Sequence, residues 1–165
     1  LGLENVMTTA MSMGELKFDD EEFDVIWSEG AIYNIGFERG LKLWQRLLRP
    51  GGIIAVTEIT WLTNTRPDEI DKHWNSEYTE IGTASEKIGV LEQCGYVPLG
   101  YFPLPKSCWI DNYYAPIESR SNQFLAEHGN SEAAQKIIEN EKIEAELYNK
   151  YSDHYSYGFY IAQKI

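Results

Sequence analysis

Two short polar runs, Ser28-Glu29-Gly30 and Glu58-Ile59-Thr60, each stand at the end of an apolar stretch of this chain. Hydroxyls, carboxylates and a glycine are groups that bind and orient a ligand, and Tyr33 and Asn34 follow closely behind the first run. What they can do depends on the elements that carry them. Phe23–Trp27 is apolar apart from Asp24, and Gly52–Ile59 holds Ile53, Ile54, Ala55 and Val56, so both read as buried strands. Between them Phe37, Leu41, Trp44 and Leu48 fall at spacings of four, three and four, the stripe of an amphipathic helix that Leu47 widens. Arg46 and Arg49 would occupy its last turn, where cations favour the helix dipole, and Pro50-Gly51-Gly52 is expected to end it. Strand, helix and strand in this order make a parallel pair joined by a right-handed crossover. In such open sheets ligands bind where the strands' carboxyl ends meet their loops, which is where the two polar runs lie.

The flanking sequence suggests further elements. Val6–Ala10 is short, partly β-branched and Thr-rich, and reads as a modest strand. The acidic run Asp19-Asp20-Glu21-Glu22 reads as a solvated turn. Arg66-Pro67-Asp68-Glu69 resembles a helix start with proline at the first helical position. Ser85–Cys94 reads as a short helix closed by Gly95, with Ile88, Val90 and Leu91 facing inward, and Tyr96–Leu104 as a strand. A polar connection then leads to helices near Ile117–His128 and Glu132–Tyr151, separated by Gly129-Asn130-Ser131. Tyr157–Lys164 alternates and reads as a terminal strand.

Composition narrows the function classes. The 165 residues suit one domain with a real core, and 43% apolar with 13% aromatic residues is too rich for a disordered chain. Fourteen basic against twenty-six acidic residues give a net charge of -12, which repels nucleic-acid backbones and anionic membrane surfaces at long range. A small-molecule substrate is the better expectation. No run of apolar residues reaches the roughly 20 that a spanning helix needs. Cys94 and Cys108 have no partner at ligand spacing, which reads as free thiols in the cytoplasm, and His73, His128 and His154 match no metal motif.

Residues Met11 to Glu58 resemble class I S-adenosylmethionine-dependent methyltransferases, notably the small-molecule branch that includes the quinone-biosynthesis enzymes. The resemblance rests on Leu16-Lys17-Phe18, then Phe23-Asp24-Val25-Ile26-Trp27, then Leu48-Arg49-Pro50-Gly51-Gly52 and Glu58, in order and at the family's separations. It implies a partial Rossmann-like doubly wound α/β sheet, strands three to seven of the family order 3-2-1-4-5-7-6, with a helical and aromatic cap. Residues 1–165 would form one domain, the C-terminal two-thirds of a methyltransferase, with 61–83 and 105–152 as insertions on the substrate side. No G-x-G-x-x-G or D-x-G-x-G occurs in the sequence, and Gly51-Gly52 follows a helix instead of a strand. The first two strands and the glycine-rich turn are therefore expected upstream of Leu1, leaving a fragment with impaired cofactor binding and no activity by itself. Such a fragment would expose an apolar sheet edge along Phe23–Trp27 and is expected to form a homodimer or aggregate through it.

The resemblance also implies site residues. Ser12 and Met13 match the positions beside the adenine, where the family usually has an acidic and a small residue, and the alternative is that both are ordinary loop residues. Ser28, Glu29 and Gly30 match the loop beneath the cofactor's methionine portion, with Glu29 otherwise a helix-start acid. Tyr33 matches a position near the sulfonium, or else is core. Asn34, Glu58 and Trp61 would lie on the substrate side, and Glu58 could instead be satisfied by neighbouring amides. No residue stands out as a catalytic base; His73 and His154 are the near-neutral titrators of the cap and read more simply as surface histidines. Methyl transfer needs little beyond in-line alignment, because the sulfonium supplies the driving force. Trp61, Trp74, Tyr78, Trp109, Tyr113 and Tyr114 would bound an apolar or cationic substrate, or pack the cap on the sheet. Two other readings remain: a non-catalytic α/β protein-interaction module, and an unrelated doubly wound enzyme, which would need a glycine fingerprint that is equally absent.

Overall fold

A computed structural model describes residues 4–165. Strand β1 (Phe23–Ser28) is followed by a 3-10 turn at Ile32–Asn34, helix α1 (Phe37–Gln45) and the long strand β2 (Leu48–Trp61). Helix α2 (Asp68–Glu77), the two-residue strand β3 (Gly82–Thr83), helix α3 (Ala84–Gln93) and strand β4 (Tyr96–Pro103) come next. The chain then runs through α4 (Lys106–Trp109), a π-helical turn (Ile110–Tyr114), α5 (Ala115–Glu127), α6 (Glu132–Tyr151) and strand β5 (Tyr155–Lys164).

The strands form one mixed α/β sheet in the order β1-β2-β5-β4. β1 and β2 are parallel, with Val25 opposite Ile53 and Ser28 opposite Val56, so the crossover deduced from the sequence forms. β5 inserts antiparallel between β2 and β4. This order agrees with the 4-5-7-6 portion of the arrangement that the resemblance implies. β3 pairs with Thr60 and Trp61, beyond the point where β1 ends.

Four expectations are corrected. Val6–Ala10 forms no strand; the segment is exposed and has no neighbour to supply ladder hydrogen bonds. Helix α1 ends at Gln45, well before Pro50-Gly51-Gly52, because Leu48 already pairs with Phe23 in the sheet. Arg49 consequently lies on β2, where it pairs with Asp24 at 2.7 Å, and the Arg46 guanidinium holds the preceding loop through the Leu16 and Phe18 carbonyls. The connection after β4 is helical from Lys106 onward. Pro67 stands one position earlier than expected, as the N-cap of α2.

Two clusters make the core. On one sheet face Phe37, Leu41 and Trp44 of α1 and Leu91 of α3 meet Ile54, Val56 and Tyr160. At the carboxyl end of β2 a second cluster gathers Ile59, Trp61, Ile70, Trp109, Tyr148 and Tyr155, so that α2, α4 and α6 pack there. The opposite sheet face leaves Trp27 64% and Phe102 47% exposed, with Phe159 between them at ring distances of 5.3 and 5.2 Å.

Candidate functional site

The loop behind β1 is built by its own residues. Gly30 has a φ of +55°, a left-handed conformation that glycine takes at no steric cost, and a Cβ built there would meet open space. Its N–H donates to Thr57 Oγ1 at 2.7 Å, tying the loop to β2. Glu29 accepts the Trp27 indole N–H at 2.7 Å, and Asn34 donates to the Ala31 carbonyl at 3.0 Å. Beyond the loop, the Phe37 N–H that opens α1 donates to the Glu80 carboxylate at 2.8 Å, the charge sign that a helix N-terminus favours.

Beside this loop lies a hollow of about 310 Å³. Glu29, Gly30 and Tyr33 line one side, Thr57 and Tyr157 the sheet side, and Cys108, Trp109, Tyr113 and Glu144 the helical side. An adjoining hollow of about 550 Å³ shares Tyr33, Tyr113, Glu144 and Tyr157 and extends to His73, Trp74, Glu77 and Tyr78. The walls are held from behind. Trp109 stacks on Tyr157 at 5.0 Å and donates to Ser156 Oγ, and Tyr114 donates to Glu144 at 3.0 Å.

Under the second hollow, Glu58 is wholly buried and accepts hydrogen bonds from Lys87 at 2.8 Å and Tyr78 at 2.6 Å through the same oxygen. Its other oxygen has no protein partner among the described residues. Burial raises the Glu58 carboxyl above its ordinary value, against the opposing pull of Lys87 and Tyr78. Burial and the nearby Glu58 charge push the Tyr78 phenol well above its usual range, so it stays a donor.

The sequence-derived candidates therefore separate. Glu29, Gly30 and Tyr33 meet at the first hollow. Ser28 is buried beside them, and its hydroxyl has no partner among the described residues. Ser12 and Met13 line neither hollow: the Ser12 hydroxyl accepts from Gly14 N, and the Met13 carbonyl accepts from the Trp44 indole. Asn34 bonds within its own loop, Glu58 within its ion pair, and Trp61 is buried under the Arg66 guanidinium at 4.0 Å. His73 lines the second hollow, and His154 bonds to Thr63 at 3.0 Å.

Sequence reasoning missed Thr57, Cys108, Glu144, Tyr157 and the Lys87 partner of Glu58. Two had signals: Tyr157 alternates with Tyr155 and Phe159, and Glu144 shares a helical stripe with Asn140, Tyr148 and Tyr151. Lys87 had none, since nothing in a sequence marks a partner 29 positions away.

Residues 2–56 match the family model of the methyltransferase domain. No curated protein matches the chain by sequence. Among solved structures, a putative sarcosine dimethylglycine methyltransferase from Galdieria sulphuraria superposes with a TM-score of 0.73 at 19% identity, over 93% of this chain and 57% of that one. A methyltransferase from Geobacter sulfurreducens, solved with S-adenosyl-L-homocysteine, gives 0.73 and 19% over 93% of this chain and 61% of that one. Phosphoethanolamine N-methyltransferase 2 from Haemonchus contortus, solved with S-adenosyl-L-methionine, gives 0.67 and 16% over 93% and 36%. These likenesses establish a Rossmann-like methyltransferase fold, and the chain spans between 36% and 61% of the three structures' lengths. Among the described residues no helix is long and apolar enough to cross a membrane.

Proposed function

We propose that this chain belongs to a class I S-adenosylmethionine-dependent methyltransferase that acts on a small-molecule acceptor. The observation that carries the reading is the parallel β1–β2 pair with Ser28-Glu29-Gly30 at its carboxyl end, inside the segment that matches the methyltransferase domain. The neighbours solved with S-adenosylhomocysteine support the choice of cofactor. The site fits such a group: the buried Ser28 hydroxyl has no partner among the described residues, and Gly30 leaves room for close approach. Ser28, Glu29, Gly30 and Tyr33 would hold the methionine portion, while Ser12 and Met13 would reach the adenine only if their loop moved. When bound, the cofactor supplies an electrophilic methyl group on sulfur. The chain's part is alignment and water exclusion by the aromatic walls. Asn34, Glu58 and Trp61 act as supports of that site, Glu58 through Tyr78. Residues 61–83 and 105–152 form the substrate side.

The sequence contains no glycine-rich turn for the nucleotide end, so residues 1–165 alone bind the cofactor weakly and turn over poorly. The two free cysteines suit a cytoplasmic protein. The test is titration of isotope-labelled protein with S-adenosylhomocysteine, followed by amide chemical shifts. Saturable shifts centred on Ser28–Tyr33 are expected; shifts elsewhere, or none at millimolar ligand, overturn the reading.

A second reading, a non-catalytic association module, draws on the exposed Trp27 and Phe102 face. The same face and the adjacent β1 edge would also support a homodimer of the chain.

A further inference from the structure

The two adjoining hollows have an unusual charge balance. Neither is lined by a lysine or an arginine, whereas Glu29 lines the first, Glu77 the second and Glu144 both. The remaining walls are largely aromatic, with Tyr33, Tyr113 and Tyr157 common to both. Lys87 lies 5.6 Å from the Tyr78 ring but lines neither hollow and is paired with Glu58. Burial, with Glu141 and Glu144 nearby, pushes the Tyr113 phenol up to about 12, so its ring stays neutral at physiological pH.

Building on the methyltransferase reading, we propose that this cleft selects an amine as methyl acceptor and holds the N-methylated ammonium product between Tyr33, Tyr113, Tyr157 and Glu144. An aromatic face attracts a cation through its quadrupole, and a carboxylate a few ångströms away adds to that attraction. An anionic acceptor bearing a phosphate or a carboxylate would instead meet like charges, with no lysine or arginine among the lining residues and His73 as the one basic side chain, in the second hollow alone. The reaction itself fits these walls. A neutral amine's lone pair forms the N–C bond as the donor's S–C bond breaks, and sulfur keeps that electron pair. The positive charge thus passes from sulfur to nitrogen without leaving the cleft, and the ammonium product gives up any proton to solvent water after release. The walls are suited to a positive charge at both stages. Glu144 is held for this task by the Tyr114 hydroxyl at 3.0 Å, and Tyr157 by the stacked Trp109 ring.

The test is calorimetric titration of the chain with three probes of similar shape: choline, its uncharged isostere 3,3-dimethylbutan-1-ol, and phosphocholine. Choline is expected to bind at least about tenfold more tightly than the neutral isostere, and phosphocholine more weakly than choline. Glu144→Gln should erase most of that preference without changing the isostere's affinity. Tyr113, 45% exposed, can be changed without opening the core. Tyr113→Leu should weaken choline binding several-fold and Tyr113→Phe should retain it. Equal affinity for choline and the isostere, tighter binding of phosphocholine, or no choline binding overturns the proposal. Shifts with S-adenosylhomocysteine but no choline preference would sink the amine assignment and leave the methyltransferase reading intact. Choline preference without those shifts would overturn the methyltransferase reading and the methyl-acceptor assignment with it, leaving a cleft that binds ammonium groups.

Discussion

Glu58 shows how little a residue's position reveals of its task. At a strand's carboxyl end it looks like a ligand, yet its side chain is wholly buried and bound by Lys87 and Tyr78. Removing one member of a buried pair strands the other's charge, which costs about 3–5 kcal/mol. Lys87→Met should therefore lower the unfolding free energy by about that much in urea titrations, and Glu58→Gln on top of it should recover most of the loss. The raised Glu58 carboxyl also fixes a sign. The folded chain holds that proton more firmly than the unfolded chain, so the contribution is full below the ordinary value of 4.5 and is lost as pH rises through the folded value. Denaturation of wild type and Glu58→Gln across this range should show the wild type losing ground to the variant as pH increases. Parallel pH profiles would refute it. That Glu29, Gly30 and Tyr33 line one hollow follows from the short loop after β1 that carries them. Lys87 and Thr57 were not legible in the sequence, since their roles come from tertiary pairing.

At the scale of elements, local chemistry and sheet pairing compete. Helix α3 is set by a reciprocal cap: Thr83 Oγ1 accepts from the Glu86 N–H, and the Glu86 carboxylate accepts from the Thr83 N–H at 2.6 Å. Thr83→Ala should cost about 1 kcal/mol in thermal or urea unfolding, with Thr83→Ser recovering most of it. The end of α3 was equally readable, because Gly95 adopts a φ of +78° there. The end of α1 was not. Its apolar stripe continues through Leu47 and Leu48, but those two residues are buried on leaving the helix, and Phe23 N–H already donates to the Leu47 carbonyl. A sheet register decided that boundary, and a helical stripe cannot express one. Val6–Ala10 fails for the converse reason: it has strand composition without a strand beside it.

For the whole molecule, the order β1-β2-β5-β4 leaves three features exposed among the described residues: the free sides of β1 and β4 and the sheet face bearing Trp27 and Phe102. Apolar patches and open edges favour association, while a net charge of -12 opposes it at low ionic strength. Sedimentation velocity should therefore show concentration-dependent association that grows with added salt, and Trp27→Lys should suppress it. A monomer at every concentration and salt level would exclude this contact. The crossover could be read in advance because it rests on many residues at once, whereas the strand order came from the family resemblance. The cleft could not be read in advance, because its walls come from six separate segments that only the folded chain brings together.

The place of β5 governs how the protein can be made. Tyr155–Lys164 is the wedge that joins β2 to β4, on both sides antiparallel and far along the polypeptide from Ile53. While a ribosome is still translating α6, the growing polypeptide therefore holds the β1–β2 half-sheet and an unpaired β4 with no seam between them. Stalled or prematurely released products should expose those raw margins to chaperones and proteases, and completion of this one segment closes them.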